Sequence, residues 1–285
     1  MNLDFTMDKY KQLCNAISKS EYTTLTFEGY ISSINKPEKV ILIRHDVDSE
    51  PEYFLKTAKL ENKLGLSSTY YFRHIEGIFL PDLIKEIAAL GHEIGYHYEV
   101  LDKAMGNYEA AIKIFEKELS DLRKYYNVRT IAQHGSPLVG GLNATSVSGV
   151  FQIIKALLRK EDIFTSVPNI DLWNKYNLQR FDIIGEAYLS MNFNKTIYLS
   201  DTGRSWDSSK YKVRDFVNNS SLNLQMKVKS TNDIIDMIQN STVESMCILV
   251  HSNQWKDSYG EWLKWFFFQQ IRNNGKLALK RMRKK

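Results

Sequence analysis

Six histidines, at positions 45, 74, 92, 97, 134 and 251, all fall at or beside the end of a periodic segment, and five of them directly follow a strand-like run. Histidines used only for packing would be scattered through the pattern. The set therefore reads as a site where imidazoles hold a metal or move protons. Around the first stands Arg44-His45-Asp46-Val47-Asp48. Two carboxylates so close repel unless a cation, a shared proton or an arginine intervenes. Arg44 could neutralise one of them. Alternatively, one carboxylate holds a divalent ion while the other acts on water. The D-x-D spacing alone also suits metal-dependent phosphatases and sugar transferases.

The stretch Gly91-His92-Glu93-Ile94-Gly95-Tyr96-His97-Tyr98-Glu99 is more specific. It resembles the second motif of the polysaccharide deacetylase-like family, carbohydrate esterase family 4. Arg44 to Asp48 resembles the aspartate motif of that family's variant branches, Asp201 to Trp206 is similar to its Asp/Trp motif, and Ile248-Leu249-Val250-His251 resembles its Leu-x-His motif. The motifs occur in the family's order. The resemblance implies an α/β fold, a distorted (β/α) barrel of about seven parallel strands in a single domain. It also implies removal of N- or O-acetyl groups from sugars with a divalent metal, zinc being the expected ion. Carried over by position, Asp46 is the general base, Asp48 and His97 are metal ligands, and His251 is the general acid. These roles agree with elementary chemistry: a carboxylate takes the proton of water and an imidazolium protonates the leaving amine.

One position departs from the family. Its usual second ligand histidine falls where this chain has Leu101. His134, at the end of the next strand-like run, restores the same ligand set. Glu99 shares a face with His97 if the strand continues, and is a second candidate ligand or a partner that orients His97.

The elements that position these residues alternate between strand and helix. Residues 7–19 form an amphipathic pattern, and 39–43 an apolar run of the kind buried on both faces. Helical patterns cover 51–64, 80–90 and 107–126, stopped by Gly65 and Gly91 in the first two cases, and strand-like runs cover 68–72, 93–96 and 128–133. Residues 139–148 read as a loop and 150–160 as a helix; 196–200 and 246–250 repeat the strand-then-polar pattern. Such alternation predicts parallel βα units whose carboxyl ends converge on one face. The expected organisation is a helical extension over 1–38, the barrel over 39–275 and a basic tail over 276–285.

Further residues are candidates for substrate binding: Arg73, Asp201, Arg204, Trp206 and Trp255. Arg204, beside Asp201, could orient Asp46 or meet an anionic substrate group, and Trp206 or Trp255 could stack on a sugar face. Glu186 adjoins a strand-like run, but spacing gives it no role. Lys256 reads as a solvated loop charge.

The chain has 285 residues, 43% of them hydrophobic, with 14 Gly and 5 Pro, which excludes a disordered or collagen-like protein. Its 38 basic and 33 acidic residues give a net charge of +5, but six of the basic ones and no acid fall in 276–285, leaving 32 against 33 elsewhere. A nearly neutral body offers no groove for nucleic acid. The tail and the aromatic run Trp262 to Phe268 instead suggest peripheral contact with anionic lipid. Two cysteines, Cys14 and Cys247, suggest no disulfide framework, and the N-terminal residues lack a signal-peptide pattern. The expected location is therefore the cytoplasm, and the expected substrate an acetylated sugar, nucleotide-linked or lipid-linked, in surface-polysaccharide biosynthesis. The competing expectations are a carbohydrate-binding pseudoenzyme, for which Leu101 speaks, and a metal-dependent glycosyltransferase, which leaves His97, His134 and His251 unexplained.

Overall fold

The computed structural model describes residues 3–135, 167–206 and 228–283, the last nine of these as backbone. The expected loop over 139–148 and helix over 150–160 lie outside the described residues. Within them, α1 (Met7–Ser18), β1 (Thr23–Leu25) and α2 (Phe27–Ser32) precede β2 (Val40–Val47). There follow α3 (Pro51–Lys63), β3 (Thr69–Phe72), α4 (Pro81–Ala89), β4 (Glu93–Tyr98), the short α5 (Val100–Lys103), α6 (Tyr108–Arg123) and β5 (Thr130–Gln133). The later elements are β6 (Gly185–Glu186), β7 (Ile197–Ser200), α7 (Thr231–Gln239), β8 (Ser245–Val250) and α8 (Tyr259–Arg283).

Local chemistry sets several of these boundaries. Thr6 accepts a hydrogen bond from the Lys9 amide at the start of α1, and Ser230 and Asp233 form a capping box on α7. Proline opens α3 and α4, where its missing N–H costs no helical hydrogen bond. Gly65 and Gly91, at φ of +72° and +84°, turn the chain out of those helices.

All strand pairings are parallel, in the order β6-β5-β4-β3-β2-β8-β7, and β1 lies beside the first half of β2. The segment before residue 39 thus supplies a strand as well as helices. Among the described residues β6 and β7 do not pair, so the sheet curls into a barrel open at that seam. This is a single-domain α/β fold, a distorted (β/α) barrel: its parallel βα units follow the alternation of elements, and the barrel is what the family resemblance implies.

Side chains alternate across each strand, so parity decides which residues enter the barrel. Val40 and Leu42 of β2 pack inside with Tyr71, Ala132, Tyr198, Cys247 and Leu249. Ile41 and Ile43 point the other way, toward α1 and α7. Phe54, Phe72, Tyr96, Phe115 and Ile131 fill the outer layer beneath α3 and α6. The interior is narrow: a Cβ on Gly95 would lie 2.3 Å from the Tyr71 ring, so only glycine fits there.

Among the described residues no helix is long and apolar enough to cross a membrane.

Candidate active site

The interior parity of β2 continues from Leu42 through Arg44 and Asp46, and the chain then delivers Asp48 just beyond the strand. The strand runs four residues past the apolar stretch, to Val47, because Arg44 and Asp46 satisfy each other inside the barrel. Arg44 donates from Nε to Asp46 Oδ1 at 2.8 Å and from Nη2 to Oδ2 at 2.7 Å, and its guanidinium lies 4.6 Å from the centre of the Tyr188 ring. Burial alone would raise the Asp46 pKa, but Arg44 and then His97 outweigh it and hold the carboxyl well below its usual range. Asp46 is an anion at any physiological pH.

His97 ends the interior face of β4 and is buried. Its Nδ1 is 2.9 Å from the Ala132 carbonyl of β5. A carbonyl only accepts, so Nδ1 carries the proton and Nε2 presents a lone pair. That lone pair faces Asp46 Oδ2 at 3.4 Å and Asp48 Oδ1 at 3.5 Å. Burial lowers the His97 pKa, and the attraction of the two aspartates does not restore it. A neutral imidazole nitrogen aimed at two carboxylates is an arrangement that wants a cation between them.

His134 follows β5 on the same interior parity. Its Nε2 is 3.9 Å from Asp48 Oδ1, and its Nδ1 is 3.2 Å from Glu99 Oε2. Arg73, beyond β3, donates to the same Glu99 oxygen at 2.6 Å. Burial opposes ionisation of Glu99, but His134 and Arg73 hold its pKa well below the ordinary value. Glu99 thus lies beside the His134 ring, whose Nδ1 makes no hydrogen bond among the described residues, and Arg73 pairs with Glu99 through Nη2.

On the opposite side of Asp48 stands His251, which follows β8, with Nε2 3.8 Å from Asp48 Oδ2. Its Nδ1 lies 2.6 Å from Asp201 Oδ1. Burial would lower its pKa, but Asp201, with Asp48 and Asp46 behind it, raises it to about 9. Near neutral pH His251 is an imidazolium.

Several expectations need correction. Asp201 is fully buried and spent on its neighbours: it accepts from the His251 backbone N–H and from Trp255 Nε1, at 2.8 Å, as well as from the imidazole. It orients His251. Arg204 does not touch Asp46, a task Arg44 performs from two residues away. Arg204 instead donates to the Trp262 carbonyl at 3.2 Å and lies over the Phe5 and Trp262 rings. Trp206 and Trp255 are 2% and 0% exposed, packed with Phe5 in the layer beneath α1, and offer no face to a sugar. Lys256 is buried, paired with Glu50 at 2.7 Å and set 3.9 Å from the centre of the Tyr53 ring. Glu186 accepts three backbone N–H bonds, from Gln133, Tyr188 and Leu189, and so caps the sheet end.

The histidines also divide. His97, His134 and His251 converge on Asp48. His45 has the opposite strand parity and points outward, to Glu61 at 2.8 Å and Ser252 at 3.0 Å. His92 bonds the Ala58 carbonyl in the same outer layer, and His74 lies by Glu118 and Asp121 at the rim.

Among the described residues Asp48 Oδ1, a buried acceptor, has no hydrogen-bond partner. It and the Nε2 atoms of His97 and His134 form a two-imidazole, one-carboxylate donor set. Four-coordinate zinc at about 2.0–2.1 Å places neighbouring donors about 3.3 Å apart; the 3.5 and 3.9 Å here lie just above that. Among the described residues no three His, Cys, Asp or Glu side chains are gathered closely enough, as they stand, to hold a metal ion. The donor types, two imidazoles and a carboxylate, are ones that zinc takes.

Fold and site together define a class: an open parallel (β/α) barrel with an aspartate–histidine cluster at the carboxyl ends of its strands. No family model matches the chain, and no curated protein matches it. Among solved structures it is similar to the catalytic domain of peptidoglycan N-acetylglucosamine deacetylase from Eubacterium rectale ATCC 33656, with 12% identity over 86% of this chain and 88% of that one and a TM-score of 0.40.

Proposed function

We infer that this chain is a metal-dependent hydrolase that removes an acetyl or other small acyl group from an amino sugar or glycoconjugate precursor. One observation carries the reading: Asp48 Oδ1, without a hydrogen-bond partner among the described residues, faces Nε2 of His97 and of His134, and Nε2 of His251 lies by its other oxygen, with Asp46 also beside His97. Asp48, His97 and His134 would hold a divalent ion, zinc by its preference for this donor set. Such an ion polarises an acyl carbonyl and lowers the pKa of water toward about 7, within reach of a weakly basic carboxylate.

The chain's own groups supply the proton transfers. Asp46, fixed by Arg44, accepts a proton from the water whose oxygen bonds to the acyl carbon. His251, held by Asp201, gives its Nε2 proton to the sugar nitrogen as the carbon–nitrogen bond breaks, leaving a carboxylate and a free amine. Substrates with nucleotide or lipid carriers suit a role in building surface polysaccharides.

The test is elemental mass spectrometry of the purified protein beside His97→Ala and His134→Ala, followed by release of acetate from N-acetylated sugars. About one divalent ion per chain, reduced in both variants, is the expected result. A protein that takes up no metal on reconstitution yet binds glycans would instead be a carbohydrate-binding pseudoenzyme.

A further inference from the structure

Helix α8 has two unlike sides. Its inner side is tied to the barrel: Trp262 donates from Nε1 to the Asp4 carbonyl at 2.7 Å, the Lys256 ammonium lies 4.6 Å from the centre of the Trp265 ring, and Asn273 donates to the Gly203 carbonyl at 3.0 Å. Gly203 follows β7 and Lys256 follows β8, so the helix lies across the carboxyl ends of the strands, the face that carries Asp48 and His251.

On the outer side, among the described residues, large apolar side chains are exposed beside Glu261, Lys264 and Asn274. Tyr259, Phe267 and Ile271 are 62%, 60% and 59% exposed, and Phe266 is 37% exposed. The other large exposed apolar side chains among the described residues, Ile34, Leu80, Met105 and Leu189, are scattered over separate elements. A cluster of this kind marks an interaction surface, whereas single exposed residues do not.

The charge beside it narrows the occupant. The helix backbone continues to Arg283, and 276–285 contains six Lys or Arg residues and no acid, while the rest of the chain is nearly neutral. The occupant must offer negative charge next to an apolar layer. Nucleic acid has the charge without the layer. An anionic bilayer presents both along one flat surface.

We propose that α8 docks this protein on an anionic lipid surface. Tyr259, Phe266, Phe267 and Ile271 enter the headgroup region, and the basic segment 276–285 holds the helix there. Docking turns the carboxyl-end face toward the bilayer. The surface stands independently of the hydrolase reading, and its test requires no turnover.

The experiment is cosedimentation of the full chain with vesicles of phosphatidylcholine alone, or of phosphatidylcholine mixed with phosphatidylglycerol, at low and high salt. Phe267→Glu with Ile271→Glu changes only exposed positions, and circular dichroism checks that its fold is intact; Lys280→Glu with Arg281→Glu reverses part of the basic segment. The expected result is binding to the phosphatidylglycerol vesicles alone, weakened by salt, and lowered at least about tenfold by each double variant. Failure to sediment at low salt overturns the proposal, as does binding unchanged by the Phe267/Ile271 pair. So does a wild-type dimer that this pair converts to monomer in sedimentation velocity, which assigns the face to a second copy of the chain.

Discussion

Asp201 holds His251 at two points, its backbone N–H and its ring Nδ1, the latter at 2.6 Å, so one buried carboxylate fixes both the place and the charge of the imidazole. The histidine pKa stands at about 9 against an ordinary 6.5. A raised value means that the protonated form is favoured in the fold. The associated stability is present in full below the ordinary value and is lost as pH rises through about 9. Turnover that uses His251 as an acid falls over the same upper range. Asp201→Asn moves that alkaline limb down toward the ordinary imidazole value and cuts turnover roughly 10²- to 10⁴-fold. A pH–rate profile and NMR titration of the His251 ring measure the two effects separately; an alkaline limb that stays in place in Asp201→Asn refutes the assignment.

Glu99 touches His134 on the side away from Asp48, and Arg73 holds Glu99 in turn. At the proposed metal site, removing the charge beside His134 leaves the three donors in place but loosens their aim. Glu99→Gln is expected to weaken zinc binding about 10- to 100-fold, with turnover recovering as zinc is added. Competition with a chromophoric chelator gives the affinity. An unchanged affinity, or a loss as severe as that of His134→Ala, contradicts that role.

Outside the barrel, Glu61 is fully buried and accepts from His45 at 2.8 Å, from Tyr70 at 2.7 Å and from the Tyr10 hydroxyl. Burial works against its charge, but His45 and then His92 and Tyr10 bring its pKa down to about 2. A depressed carboxyl contributes stability above its unfolded value, about 4.3, and that contribution disappears as pH falls toward 2. Glu61→Gln should cost about 3–5 kcal/mol near neutral pH, because it leaves a buried ion-pair network broken. The gap to wild type should narrow in acid. Urea unfolding at a series of pH values tests both parts; a cost independent of pH removes the electrostatic explanation.

The βα alternation was legible because each apolar run of β2, β3, β4, β5, β7 and β8 is short, rich in strand formers and followed by polar residues. Where the reading fell short, the cause lay in side-chain pairing. By sequence the apolar run of β2 ends at Ile43, before the first charge, Arg44. In the fold Arg44 and Asp46 neutralise each other, so a charged pair sits inside a strand that runs to Val47. As residue types Trp206 and Trp255 suit stacking on a sugar face, but packing against Phe5 and hydrogen bonds to Thr231 and Asp201 bury them.

The sequence by itself determined most of the alternation of strands and helices and placed aspartates and histidines at strand ends, since residue type and period act over a few neighbouring positions. Tertiary structure decided which of those residues meet. A shift of one residue along a strand moves a side chain to the other face, and so His97 and His134 enter the site while His45 leaves it for Glu61. The partnerships of Asp201 with His251 and of Glu99 with His134 join residues 50 and 35 positions apart. Contacts at that range exist only after the strands have been laid side by side.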